Sequence, residues 1–179
     1  TSQYFINFGK KLYTMRKSLF MAFTLIASIL ISAFIIPSDI TSLSIGTPLP
    51  KGNIKMKDIT GKEITLTDSK KENGLLVVFS CNTCPFVIKQ ESSILELGKL
   101  TKESKIGYVV INSNESQRNT ADSFDEMKKY ATTQGYDFSY TVDVNSVLAD
   151  AFGATRTPEA FLFDKNMKLV YKGAFTDDT

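Results

Sequence analysis

Histidine is absent from this chain of 179 residues, and cysteine occurs only twice. Without histidine there is no imidazole to act as general base, proton shuttle or metal ligand. A structural zinc centre needs about four Cys or His ligands, so two carboxylates would have to complete one here, and no metal is expected. A basic surplus is missing too. Of the 21 Lys and Arg, Lys10, Lys11, Arg16 and Lys17 all precede position 38, leaving 17 against 19 Asp and Glu, a net of −2. No basic stripe remains to bind nucleic acid, and Lys70-Lys71 and Lys128-Lys129 read as solvated faces.

What is present is Cys81-Asn82-Thr83-Cys84, set between the apolar run Leu75, Leu76, Val77, Val78, Phe79 and Pro85. The run has the pattern of a strand buried on both faces, and a proline suits the first turn of a helix. A strand would thus deliver the first sulfur to an open helix end, where unpaired N–H groups and the helix dipole favour a thiolate. The spacing reads as a redox-active dithiol. A purely structural disulfide is the alternative, but it would close a very short loop, which gains least from loop entropy.

Residues 19–36 (LFMAFTLIASILISAFII) carry no charge and three hydroxyl residues, with basic residues before them and Pro37, Ser38 and Asp39 after. A buried helix should keep a polar face, and this stretch has none. It reads as a secretory signal or membrane anchor of near-minimal spanning length, exporting the rest of the chain. Met15-Arg16-Lys17 resembles the natural start of such a segment. The expected division is a basic flank over 1–18, the signal or anchor over 19–36, a linker over 37–50, and one domain over 51–179.

Within the domain, Ile54 to Ile59 and Glu63 to Leu66 are expected as a hairpin around Thr60-Gly61-Lys62. A helix should run from Pro85 to about Glu103, with Ile94, Leu97 and Leu100 on one stripe. Ile106 to Ile111 is a second buried strand. Thr120 to Gln134 has helical spacing at Phe124, Met127 and Ala131, with Gly135 as its stop. Strand Phe138 to Val142, short helix Asn145 to Phe152, and a closing hairpin of Ala160 to Phe163 with Leu169 to Tyr171 follow. Alternating strands and helices ending in a hairpin give an α/β class with a mixed central sheet flanked by helices.

The apolar strand ending in C-x-x-C, the helix after it, and Thr157-Pro158 before a late strand resemble the thioredoxin-like fold. LLVVFSCNTCPFV, TRTPEAFLFD and YKGAFTDD are similar to the redoxin group of alkyl hydroperoxide reductase and thiol-specific antioxidant relatives, from about Ile45 to Asp178. The resemblance implies that Cys81 attacks and Cys84 resolves. It also implies that Pro158 is cis beside the sulfurs and that the Thr157 backbone offers a peptide-binding edge. The first cysteine of such a turn is expected to be the more exposed. Glu159, just after the proline, is a candidate for the resolving proton, the alternative being an exposed strand-edge carboxylate. Arg156 is a candidate for tuning a thiolate. The peroxidase pattern Pro-x-x-x-Thr-x-x-Cys is not matched, since Val78 stands at the threonine position ahead of Cys81. Family members continue into a last helix after the final strand, whereas this chain stops at Thr179, so apolar residues of the last strands are expected to be under-covered.

These expectations add up to a thiol–disulfide oxidoreductase on the extracytoplasmic, periplasmic side. Its partners would be a protein disulfide and a separate thiol electron donor or acceptor, with the membrane added if the N-terminal segment is uncleaved. It should need no cofactor. A thiol-dependent peroxidase acting on peroxide is the second reading.

Overall fold

The protein is described from a computed structural model covering residues 41–174. The expected basic flank and signal or anchor lie outside the described residues. Among the described residues seven strands form one sheet: β1 (Met56–Asp58), β2 (Glu63–Ile64), β3 (Leu75–Ser80), β4 (Gly107–Asn112), β5 (Ser139–Val142), β6 (Glu159–Phe163) and β7 (Leu169–Gly173). Their order is β2-β1-β5-β4-β3-β6-β7. β3, β4 and β5 run parallel, while β1, β2, β6 and β7 pair antiparallel, which makes the expected mixed sheet.

β3 and β4 lie at the centre because every one of their residues is buried. The two-residue period of a strand then divides their side chains. Leu75, Val77 and Phe79 face one layer with Phe152, Phe161 and Phe163, whereas Leu76 and Val78 face the other with Val87, Ile94, Met127 and Tyr140. Each fully buried aliphatic or aromatic side chain stabilises the fold by about 1.5–3 kcal/mol.

The helices are α1 (Leu66–Ser69), α2 (Pro85–Lys89), α3 (Glu91–Glu103), α4 (Phe124–Gln134) and α5 (Val147–Phe152). Several bounds differ from the sequence expectations. Leu66 opens α1 instead of ending a strand, because the Thr65 side chain caps that helix by accepting the Asp68 N–H. The single helix expected from Pro85 to Glu103 is broken at Gln90 (φ −103°, ψ 15°), and Leu100 is 49% exposed instead of buried in the stripe. α4 begins at Phe124, not Thr120, since Ser123 is its cap and a short 3-10 turn occupies Glu115–Gln117. Gly135 ends it in the left-handed conformation as expected. Asn145 and Ser146 both have positive φ, so α5 starts only at Val147. Its free N–H groups at Leu148 and Ala149 are taken by the buried Asp143 carboxylate.

The segment expected as a linker does more than connect. Leu43 N–H donates to Phe152 O, Gly46 N–H to Leu169 O and Leu49 N–H to Met167 O, and the Leu43 and Leu49 side chains pack on the Phe152 layer. Val170 and Tyr171 on the last strand are about half exposed, at 48% and 45%.

Candidate active site

β3 ends at Ser80, and the chain turns through Cys81-Asn82-Thr83 before α2 opens at Pro85. Pro85 occupies the first turn, where its missing N–H leaves no gap. Cys84, not Cys81, is the residue that caps this helix. The Cys81 sulfur lies beside that cap, against the N–H groups of Thr83 and Cys84. Both cysteines are free thiols.

Across the sheet, the loop before β6 carries the Thr157-Pro158 bond, which is cis. Thr157 meets both sulfurs. Its hydroxyl lies 3.6 Å from Cys81 Sγ, and the Cys84 thiol donates to its carbonyl at 3.3 Å. Strand end, helix start and proline loop thus bring Cys81, Cys84, Thr157 and Pro158 together.

The environments of the two sulfurs differ, and in the opposite sense to the expectation. Cys81 is 5% exposed, while Cys84 is half-buried. Burial pushes the Cys81 thiol above the ordinary range, and the charge of Asp122 adds to that; contacts with Thr157 and the N–H groups of Cys84 and Thr83 offset it only partly. Burial also pushes Cys84 up, but less strongly than Thr157, the N–H groups of Val87 and Phe86, and Cys81 pull it down, so its thiol lies below the ordinary range. One Thr157 hydroxyl cannot donate to both sulfurs at once. Each sulfur has two backbone N–H groups beside it, and the deeper burial of Cys81 is what separates the pair.

The turn is held by a buried polar network. Asn82 N–H donates to Asp122 Oδ1 at 2.7 Å, and Asn82 Nδ2 donates to Ala121 O at 2.8 Å. Tyr140 Oη donates to Asn82 Oδ1 at 2.8 Å and accepts from Asn112 Nδ2 at 3.0 Å. Burial pushes Tyr108, Tyr130, Tyr136 and Tyr140 upward, so these phenols stay neutral.

Glu159 is not an exposed strand-edge group. It is buried, and its Oε2 accepts the Thr155 N–H at 3.0 Å, tying β6 to the proline loop. Arg156 is exposed and lines a recess of about 390 Å³ together with Cys81, Asn114, Ser146, Asp150 and Thr157.

Residues 45–172 match the AhpC/TSA family model. The chain belongs to the AhpC/TSA family. Thiol-disulfide oxidoreductase ResA of Geobacillus thermodenitrificans is 24% identical over 140 residues, 77% of this chain and 75% of that protein. An uncharacterized conserved protein from Geobacillus kaustophilus superposes with a TM-score of 0.71 at 31% identity, over 75% of this chain and 71% of that one. The thioredoxin domain of a thiol-disulfide oxidoreductase from Bacteroides vulgatus gives 0.63 at 20% identity, over 76% of this chain and 93% of that one. The last likeness establishes the thioredoxin-like fold, as the sheet order and the proline loop already indicated.

Proposed function

We propose that the chain is a thiol–disulfide oxidoreductase whose working groups are Cys81 and Cys84. The observation that carries this reading is the placing of two free thiols, both against Thr157, at a strand-to-helix turn. Kinship with a named oxidoreductase supports it.

The more exposed Cys84, as thiolate, attacks one sulfur of a substrate disulfide. A mixed disulfide forms and the other substrate sulfur leaves as thiolate. Cys81 then gives up its proton and attacks the Cys84 sulfur of the mixed disulfide, closing a Cys81–Cys84 disulfide and releasing the second substrate thiolate. The substrate gains two electrons, and a separate thiol donor restores the pair. This order reverses the roles that the family resemblance implies, and the difference in exposure supports the reversal. Thr157 and Pro158 form the edge along which a peptide lies, with Glu159 bracing the loop. The uncharged stretch 19–36 behind a basic flank supports a setting outside the cytosol, anchored to the membrane if that stretch is retained.

The recess beside Cys81, with Arg156 in its lining, supports a second reading, in which the attacked group is a peroxide. One oxygen would pass to the thiolate sulfur as sulfenic acid, and the other would leave as water or alcohol. The second thiol would then condense with the sulfenic acid, releasing water. Insulin reduction by the purified protein with dithiothreitol, beside consumption of hydrogen peroxide, tests the choice. Insulin reduction without peroxide turnover supports exchange; peroxide turnover alone overturns it.

A further inference from the structure

A separate thiol must restore the oxidised pair, and a recess of about 390 Å³ opens beside Cys81. That volume lies at the lower end of the range for small-molecule pockets, roughly 300–1,000 Å³. Its lining is largely hydrophilic: Ser113 and Asn114 follow β4, Ser146 precedes α5, and Thr155 and Thr157 lie on the proline loop. Cys81 belongs to that lining and Cys84 does not. A molecule seated in the recess therefore meets the first sulfur of the pair.

Two charged side chains also line it, Asp150 from α5 and Arg156 from the proline loop. Both are exposed, and neither has an ion pair or a hydrogen bond within the described residues. Opposite charges that share a recess without pairing leave one carboxylate acceptor and one planar guanidinium donor free for a ligand. The walls that carry them are preorganised. Asn145 and Ser146 are consecutive non-glycine residues with positive φ, 57° and 53°, a conformation that persists only where the surroundings hold it and that gathers at binding sites. Here Glu115 Oε1 accepts the Asn145 N–H at 2.9 Å, and Ser146 Oγ donates to Ser113 O at 2.9 Å, so the start of α5 is fastened to the loop after β4. On the proline loop, Glu159 accepts the Thr155 N–H at 3.0 Å and so steadies the segment bearing Arg156.

We propose that the recess binds a small zwitterionic thiol, its carboxylate on Arg156 and its ammonium on Asp150, and that this thiol is the electron donor for the Cys81–Cys84 pair. The proposal rests on the exchange reading for the pair and names the chemical class of its donor. The seated thiol gives up its proton, and its sulfur attacks Cys81 of the oxidised pair. A donor–Cys81 bond forms, the Cys81–Cys84 bond breaks, and Cys84 leaves as thiolate. Cys84 suits that part, because its thiol lies below the ordinary range and thiols of lower pKa leave faster. A second molecule of the same thiol, as thiolate, attacks the donor sulfur of the mixed disulfide, and Cys81 leaves as thiolate. The two protein thiolates take up the two protons that the donor thiols lost. The pair has gained two electrons, and two thiols have become one small disulfide.

Four small thiols that differ in these two charges test the site on the oxidised full chain. L-cysteine carries both, 3-mercaptopropionate the carboxylate, cysteamine the ammonium, and 2-mercaptoethanol neither. Loss of the protein disulfide is followed by alkylation and mass spectrometry. Each rate is divided by the thiolate concentration, corrected for thiol basicity, and expressed relative to 2-mercaptoethanol. In the wild type L-cysteine is expected to exceed 2-mercaptoethanol roughly fivefold or more, as two partly exposed charge contacts give. Arg156→Gln should lower the ratios of L-cysteine and 3-mercaptopropionate and spare that of cysteamine. Asp150→Asn should lower those of L-cysteine and cysteamine and spare that of 3-mercaptopropionate. Wild-type rates that follow thiol basicity alone overturn the proposal, whether or not the variants fold. So does a preference for L-cysteine that survives both substitutions, or an Arg156→Gln loss that is equal for cysteamine, since the effect would then lie on the sulfur and not on the ligand's carboxylate. A chain that shows the crossed pattern but leaves insulin intact loses the exchange reading and keeps this thiol site. One that reduces insulin with dithiothreitol while its thiol rates follow basicity alone keeps the exchange reading and loses the site.

Discussion

Cys84 donates its thiol hydrogen to the Thr157 carbonyl at 3.3 Å, on the residue that precedes the cis proline. A substrate sulfur reaching Cys84 therefore arrives beside a backbone edge, and the contact that holds the resting thiol is released when it ionises. In the exchange reading, Cys81→Ser leaves Cys84 able to attack but removes the group that would release it. A reductant-sensitive mixed disulfide on Cys84 should accumulate. Cys84→Ser leaves only the buried sulfur and should accumulate at least about tenfold less, in line with its smaller thiolate fraction and poorer access. Non-reducing gels with a disulfide peptide check this, and equal trapping by both variants removes the assigned order.

The pH dependence of stability should carry opposite signs at the two sulfurs. Cys84 has its thiol lowered in the folded state, so its contribution is present above the ordinary thiol range and is lost as pH falls through its own value. Cys81 has its thiol raised, so its contribution is complete below the ordinary range and is lost as pH rises through its own higher value. Cys81→Ala should therefore lose less stability than the wild type between neutral and strongly alkaline pH. Urea unfolding under reducing conditions at both ends of that window is the measurement. A wild type whose alkaline loss is matched by Cys81→Ala contradicts the raised value.

Tyr140→Phe should separate packing from polarity in the network behind the turn. The ring stays, but Asn82 Oδ1 loses its donor and Asn112 Nδ2 loses one acceptor. Leaving buried polar groups without partners costs about 1–3 kcal/mol. Urea midpoints with an unchanged slope should show a loss of that size, and a loss under about 0.5 kcal/mol, the surface-substitution range, would mean that the network has rearranged.

Gly107 opens β4 where the chain passes the end of α1. A Cβ there would stand 2.0 Å from Ser69 O, with Leu75 Cδ1 at 2.9 Å. Backbone cannot yield as a side chain can, so Gly107→Ala should cost about 1–3 kcal/mol, the range for overpacking. A thermal midpoint equal to that of the wild type contradicts the close approach.

The strands were the most legible part of the sequence, because β3 and β4 are runs of apolar residues whose alternate side chains fill two separate layers. The Cys81-to-Cys84 turn and the Thr157-Pro158 loop were legible as motifs. Less legible was which sulfur is the more deeply buried, since the spacing of the turn fits either, and the packing around Cys81 decides it only in three dimensions. The break at Gln90 carries no glycine or proline to mark it. Asp122 was hidden for a different reason: its partner Asn82 lies 40 residues earlier in the chain, and no motif spacing connects the two.

Glu159→Ala tests the brace that holds the proline loop. Its carboxylate accepts the Thr155 N–H, two residues ahead of Thr157, so truncation leaves that N–H without its partner and frees the segment that carries Arg156 and Thr157. Stability should fall by about 1–3 kcal/mol, and reduction of a disulfide peptide should slow more than labelling of Cys84 by iodoacetamide, because only the peptide needs the Thr157 edge. Glu159→Gln keeps an oxygen acceptor for the Thr155 N–H and should behave close to the wild type in both assays. Equal slowing of the two reactions in Glu159→Ala would place the effect on the sulfur itself, in contradiction to a role confined to the loop.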